Sequence, residues 1–96
     1  MELSGYMIKV WWDGQTLTAQ GTTKPARVAL LGSEHGDGDL VLPRERIAQA
    51  RHKPAGVMTN GRITLRTSEG RKHILHFRRK AQAEFAELAR ALGASV

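Results

Sequence analysis

The period of the hydrophobic pattern changes once along this chain, and that change constrains the fold more than any other feature. Through most of the sequence apolar residues return at every second position. After Lys80 they return at helical spacing, as Ala81, Phe85, Leu88, Ala89 and Leu92, which fall within an arc of about 100° on a helical wheel. A period of two buries one face of a strand and a period near 3.6 buries one stripe of a helix. The chain therefore reads as a run of strands closed by one amphipathic helix. Gly93 stands where a glycine cap is expected, and Arg79, Gln82, Glu84, Glu87 and Arg90 take the polar sides.

In the alternating part, Tyr6, Ile8, Val10 and Trp12 share one face of a first strand, and Met7, Lys9 and Trp11 the other. Asp13-Gly14 reads as a tight two-residue turn, both residues needing positive φ, with a return strand from Gln15 to Gln20 that carries Leu17 and Ala19 on one side. Gly21 to Pro25 reads as a loop. The apolar run in Arg27 to Leu31 suits a strand buried on both faces or a short buried helix, and its length favours the strand. Ser33 to Asp39 is a turn-rich loop, and Leu40 to Leu42 is a short strand that Pro43 ends, since proline supplies no ladder donor.

A further strand begins near Ile47 and runs toward Lys53 before Pro54. Asn60-Gly61 is a second two-residue turn signal, followed by a strand from Arg62 to Thr67 with Ile63 and Leu65 inward and Arg62, Thr64 and Arg66 outward. Ser68-Glu69-Gly70 fits a three-residue hairpin loop, and Arg71 to Phe77 is the last strand, with Leu75 and Phe77 on one face. The expected fold class is mainly β (α+β): a partly open antiparallel barrel or sandwich of about seven strands, capped by one C-terminal helix.

At 96 residues the chain has room for one domain, spanning 1–96, whose core takes nearly all the large apolar residues. With no cysteine it has no disulfide framework and no thiolate metal site, which fits a reducing compartment. It has no apolar run long enough to cross a bilayer and no signal-peptide pattern at Met1 to Tyr6, so the cytoplasm is the expected location.

The strings Trp12-Asp13-Gly14-Gln15-Thr16-Leu17, Leu42-Pro43-Arg44-Glu45-Arg46-Ile47 and Asn60-Gly61-Arg62-Ile63-Thr64-Leu65, with the ending Phe85-Ala86-Glu87-Leu88, occur in that order. In this the chain resembles the short bacterial pleckstrin-homology-like (PH-like) domains, and within them the family of uncharacterised actinobacterial PH-like domains. The resemblance covers roughly residues 6 to 92. It implies a non-enzymatic binding scaffold and leaves the ligand unnamed. Lipid-headgroup-binding relatives carry several cations in a long first hairpin loop, whereas here that loop is Asp13-Gly14, so no headgroup pocket is expected there. Related domains often belong to longer chains, and a small adaptor, a phage or mobile-element product and an excised domain all fit the sequence.

Charge is uneven. Residues 44 to 80 hold eleven Lys or Arg against Glu45 and Glu69, a net of +9, while the remainder holds four bases against seven acids, a net of −3. Arg62 and Arg66, with Arg71 and Lys72 on the next strand, are candidates for a basic face that meets nucleic acid, an anionic membrane or an acidic protein. The plainer account is that they are solvated positions that keep strand edges from aggregating, and it is preferred because no aromatic side chains lie between the bases. Arg78, Arg79 and Lys80 stand at the expected helix start with no capping side chain, where cations oppose the helix dipole unless an anion binds. Here too the plainer account, cations extending into water, is preferred.

Trp11 and Trp12 point to opposite faces of a regular strand, so Trp12 belongs inside and Trp11 shares an outer apolar patch with Met7 unless the 33–39 loop covers it. His73 and His76 are spaced for opposite faces of a strand, which argues against a metal site, and the acidic loop from Glu34 to Asp39 lacks a calcium-loop pattern. No serine is linked to a base, no carboxylates are paired and no phosphate loop occurs, so neither an enzyme, a cofactor nor a small-molecule substrate is expected. The leading expectation is an adaptor that binds a protein or peptide at an open strand edge, the outer face of the first sheet, or the groove beside the closing helix, with Met7 and Trp11 as anchors. The alternative is an electrostatic binder of nucleic acid or anionic membrane through residues 62–80. Self-association is a third expectation.

Overall fold

Two antiparallel sheets and a closing helix form the molecule. The computed structural model describes residues 1–31 and 39–94. In chain order these give β1 (Glu2–Ser4), β2 (Ile8–Trp12), β3 (Thr16–Gly21), α1 (Lys24–Leu31), β4 (Leu40–Pro43), β5 (Ile47–Lys53), β6 (Gly61–Thr67), β7 (Lys72–Phe77) and α2 (Gln82–Ala91), with single 3₁₀ turns at Arg44–Arg46 and Arg79–Ala81. One sheet has the order β1-β2-β3-β4 and the other β5-β6-β7. The fold is mainly β, with seven strands, unclosed sheets and a C-terminal helix.

The alternation read from the sequence sets the inward faces. Ile8, Val10 and Trp12 of β2, Leu17 and Ala19 of β3, Ile63 and Leu65 of β6 and Leu75 and Phe77 of β7 are all buried in one core. Helix α2 lies over that core through Phe85, Leu88 and Ala89, and the Phe85 ring stacks on Phe77 with centroids 4.7 Å apart. Full burial of a side chain of this size stabilises by roughly 1.5–3 kcal/mol, so the stripe at Phe85 and Leu88 is what fastens the lid. The helix stops in a double turn-back, with Gly93 N–H donating to the Arg90 carbonyl and Ala94 N–H to the Ala89 carbonyl, the paired bonds of a Schellman cap.

Four local expectations are corrected. The run 27–31 is helical: the Thr23 hydroxyl accepts from the Ala26 N–H at 3.2 Å as an N-cap, and Pro25 sits in the first turn, where no helical acceptor awaits its missing N–H. Its far end is tied to β7, since the buried His73 Nδ1–H donates to the Leu30 carbonyl at 2.9 Å. The first hairpin is no two-residue turn with two positive φ values. Trp12 pairs with Leu17, and Asp13 instead accepts from the N–H groups of Gln15 and Thr16 at 2.8 and 2.7 Å, leaving the left-handed conformation to Gly14 at φ +96°.

Asn60-Gly61 is likewise not a tight turn. Residues 54–60 form a longer connection, and Gly61 is already the first residue of β6. Glycine is required there by close approach, because a Cβ would lie 2.4 Å from two carbons of the Phe77 ring. Finally, Tyr6 and Met7 lie outside β2. Met7 adopts φ +58°, and its carbonyl accepts from both the backbone N–H and the hydroxyl of Thr22. The count of seven strands holds because β1, which the sequence reading omits, replaces the strand expected at 27–31. The loop expected at 33–39 lies outside the described residues except for Asp39.

Candidate functional site

The pairing of β5, β6 and β7 fixes which side chains share the outer face of the smaller sheet. On β6 the buried Ile63 and Leu65 force Arg62, Thr64 and Arg66 outward, as the sequence indicates. Cross-strand register then places Lys53 and His76 beside Arg62, Arg51 and Ile74 beside Thr64, and Gln49 and Lys72 beside Arg66. Of these nine outward positions five are Lys or Arg and none is a carboxylate. Neighbours along a strand on one face are about 6.8 Å apart and neighbours across strands about 4.8 Å, so the cations form a grid. They line a hollow of about 550 Å³ with Gln49 and Thr64.

Arg71 stands in the turn before β7, exposed and off this grid. The neighbouring Arg46 and Glu69 form an ion pair on the exposed surface and so remove Glu69 as a partner for the grid. Arg78, Arg79 and Lys80 are not in the first turn of α2. Arg78 is extended, with its guanidinium 5.0 Å from the centroid of the Tyr6 ring, while Arg79 and Lys80 fall in the 3₁₀ turn that precedes Gln82. Neither turn start carries a side-chain cap, in keeping with the sequence. Arg79 and Lys80 border a second hollow of about 550 Å³ with His52, Pro54 and Gln82. Gln82 Oε1 accepts from the Ala55 N–H at 2.6 Å, tying the base of the 54–60 loop to the start of α2.

His52 points inward from β5, stacked on Phe77 at 5.8 Å, and its Nε2 is buried without a hydrogen-bond partner. Burial, with a smaller effect from the Arg90 charge, pushes its pKa below the ordinary 6.5 and favours the neutral ring. Among the described residues no group of three His, Asp or Glu side chains is arranged to hold a metal ion, and His73 is engaged with Leu30.

The two expected apolar anchors are not brought together. Trp11 is half-buried on the outer face of the larger sheet, flanked by Glu2 and Thr18, toward the hairpin end of β2. Met7 is 46% exposed at the other end of that strand, where the Tyr6 N–H donates to the His76 carbonyl. Whether the 33–39 loop covers Trp11 falls outside the described residues.

Sequence reading missed four residues of interest. Arg51 and Lys53 lie in a strand whose faces the sequence does not distinguish, because Ala48, Gln49, Ala50 and His52 give it no clear alternation. Val57 and Met58, in the 54–60 loop, are 83% and 92% exposed, the most exposed of the large hydrophobic residues described. The signal for them is an apolar pair in a loop with no strand or helix period to bury it. Comparison with protein-family models, with curated proteins and with solved structures finds no match. Among the described residues no helix is long and apolar enough to cross a membrane.

Proposed function

We propose that the chain is a non-catalytic docking module on a PH-like scaffold that binds a phosphate-rich polyanion in the cytoplasm through the outer face of β5, β6 and β7. Sheets of four and three strands under a terminal helix agree with the scaffold that the sequence resemblance implies. The observation that carries the reading is that Lys53 stands directly opposite Arg62, and Arg66 directly opposite Lys72. Like charges directly opposed across a sheet destabilise it. A multivalent anion on this face converts that repulsion into attraction.

Long-chain polyphosphate is a suitable probe. If the five cations of the grid each displace a counterion, log affinity against log salt has a slope of about −3.5, so affinity falls roughly 100-fold between about 50 and 200 mM salt. An Arg62→Gln/Arg66→Gln variant should bind more weakly with a shallower slope. Binding that ignores salt and both substitutions sinks the proposal.

A second reading, recognition of a protein or peptide, is favoured by a different observation. β5 is an edge strand, and a hollow of about 590 Å³ runs along Ile47 to His52 up to Leu92 and Gly93 at the end of α2. An extended peptide added to that edge would gain main-chain hydrogen bonds and place alternate side chains against Ile47, Ala50 and Leu92. Binding there should be nearly insensitive to salt, and a proline at Ala48 or Ala50 should alter it more than loss of Arg62 and Arg66.

A further inference from the structure

The 54–60 loop joins β5 to β6 at the end of the sheet where the cations continue. At its tip Val57 and Met58 are almost wholly in water. Its base is ringed by charge of one sign: Lys53 and Arg62 flank it as a directly opposed pair, and Arg79 and Lys80 share the hollow beside Pro54. An apolar tip inside a cationic collar is what a peripheral protein needs at an anionic bilayer, where apolar side chains enter the acyl boundary and Lys or Arg remain among the headgroup phosphates.

We propose that this end of the molecule docks on an anionic membrane surface, with Val57 and Met58 inserted and Lys53, Arg62, Arg79 and Lys80 in contact with lipid phosphates. The proposal rests on the polyanion reading above and names its partner. A lipid surface suits the site better than a nucleic acid does, because stacking on bases calls for aromatic platforms and this end offers aliphatic side chains. The recognition is of a charged surface, not of one headgroup in a pocket. The β2–β3 loop has no cation and carries the Asp13 carboxylate, which repels phosphate.

The test is sedimentation of the full chain with vesicles of phosphatidylcholine alone or mixed with phosphatidylserine, with polyphosphate and a single-stranded oligonucleotide as separate arms. Binding is expected only to the phosphatidylserine vesicles among the lipids. Val57→Ser/Met58→Ser should weaken it at least about tenfold, by withdrawing two apolar side chains from the acyl boundary, and should leave polyphosphate binding unchanged. Lys53→Gln/Arg62→Gln should weaken vesicle binding about 30-fold, at about fivefold per cation. The chain has no cysteine, so Met58→Cys accepts one environment-sensitive dye, whose emission should shift to the blue on phosphatidylserine vesicles.

The substituted tip residues support nothing in the core, so these variants fold, and a thermal melt verifies it. Retained polyphosphate or oligonucleotide binding with none to vesicles overturns the membrane assignment and leaves the polyanion reading standing. Vesicle binding that tolerates the serine tip also overturns insertion. Failure to bind polyphosphate, oligonucleotide and vesicles alike overturns both.

Discussion

Replacing Arg62 by Glu should make the protein more stable while weakening its hold on anions, a combination that few substitutions produce. Arg62 is exposed on the central strand of the smaller sheet, directly opposite Lys53. A like-charge pair in this position costs up to about 1 kcal/mol and an opposite-charge pair returns a similar amount. Exposure to solvent keeps both toward the low end. The swing on Arg62→Glu is therefore about 0.5–1 kcal/mol toward the folded state, less a few tenths for the poorer strand propensity of Glu.

In a domain of this size each kcal/mol moves Tm by roughly 4–8 °C, so the melt should rise by about 1–6 °C at low salt. Arg62→Gln removes the repulsion without adding attraction and should give about half of that. Circular dichroism melts at low salt and at about 1 M salt, where the screening length shrinks to about 3 Å, provide the check. The gain must vanish at high salt if charge is its cause. Most point substitutions destabilise, so a lower Tm, or a gain that survives high salt, would refute the claim that this face is electrostatically strained.

Gly61→Ala places a methyl group against the Phe77 ring and should lower stability by about 1–3 kcal/mol, read as a lower urea midpoint at unchanged slope; an unmoved midpoint would show that the ring yields freely. Asp13 is held below its ordinary pKa of 3.8, chiefly by the N–H of Thr16 and next by that of Gln15. Its contribution is therefore complete above pH of about 4 and is lost as pH falls through the lower folded value. Asp13→Asn should flatten the acid limb of a Tm-against-pH curve, and superimposable limbs would contradict the bond pattern.

The faces of β2, β3, β6 and β7 were legible because each carries two or three large apolar residues at strict alternation, which leaves one way to bury them. The lid was legible for the same reason at helical period. β1 was not, since Glu2-Leu3-Ser4 offers a single apolar residue and is a strand only through its pairing with β2. Four apolar residues in a row carry no period, so in the α1 segment the one helical signal is Thr23 as a cap, a weak one inside a run that also reads as a loop. Asn60-Gly61 misled because glycine answers equally to a turn and to a ring packed on the backbone. Three of the five cations of the grid, Arg62, Arg66 and Lys72, were readable from β6 and β7. Arg51 and Lys53 were not, because β5 turns small or polar side chains inward and a register shift between Ile47 and Gln49 separates its start from its later pairing.

The bland account of the grid, a solvated surface that protects sheet edges, meets a difficulty in where the cations stand. Lysines that blunt an edge belong on edge strands, and Lys53 on β5 and Lys72 on β7 satisfy that description. Arg62 and Arg66 are on β6, which is paired on both sides and has no free edge to defend. A surface shaped for solubility alone intersperses both signs, as the outer face of the larger sheet does with Glu2 across from Trp11 and Ser4 across from Lys9. The smaller sheet instead concentrates one sign on its central strand and matches it on both neighbours. That placement raises the energy of the free protein and lowers that of a complex with an anion. Solubility does not require it, and the proposed anion binding accounts for it.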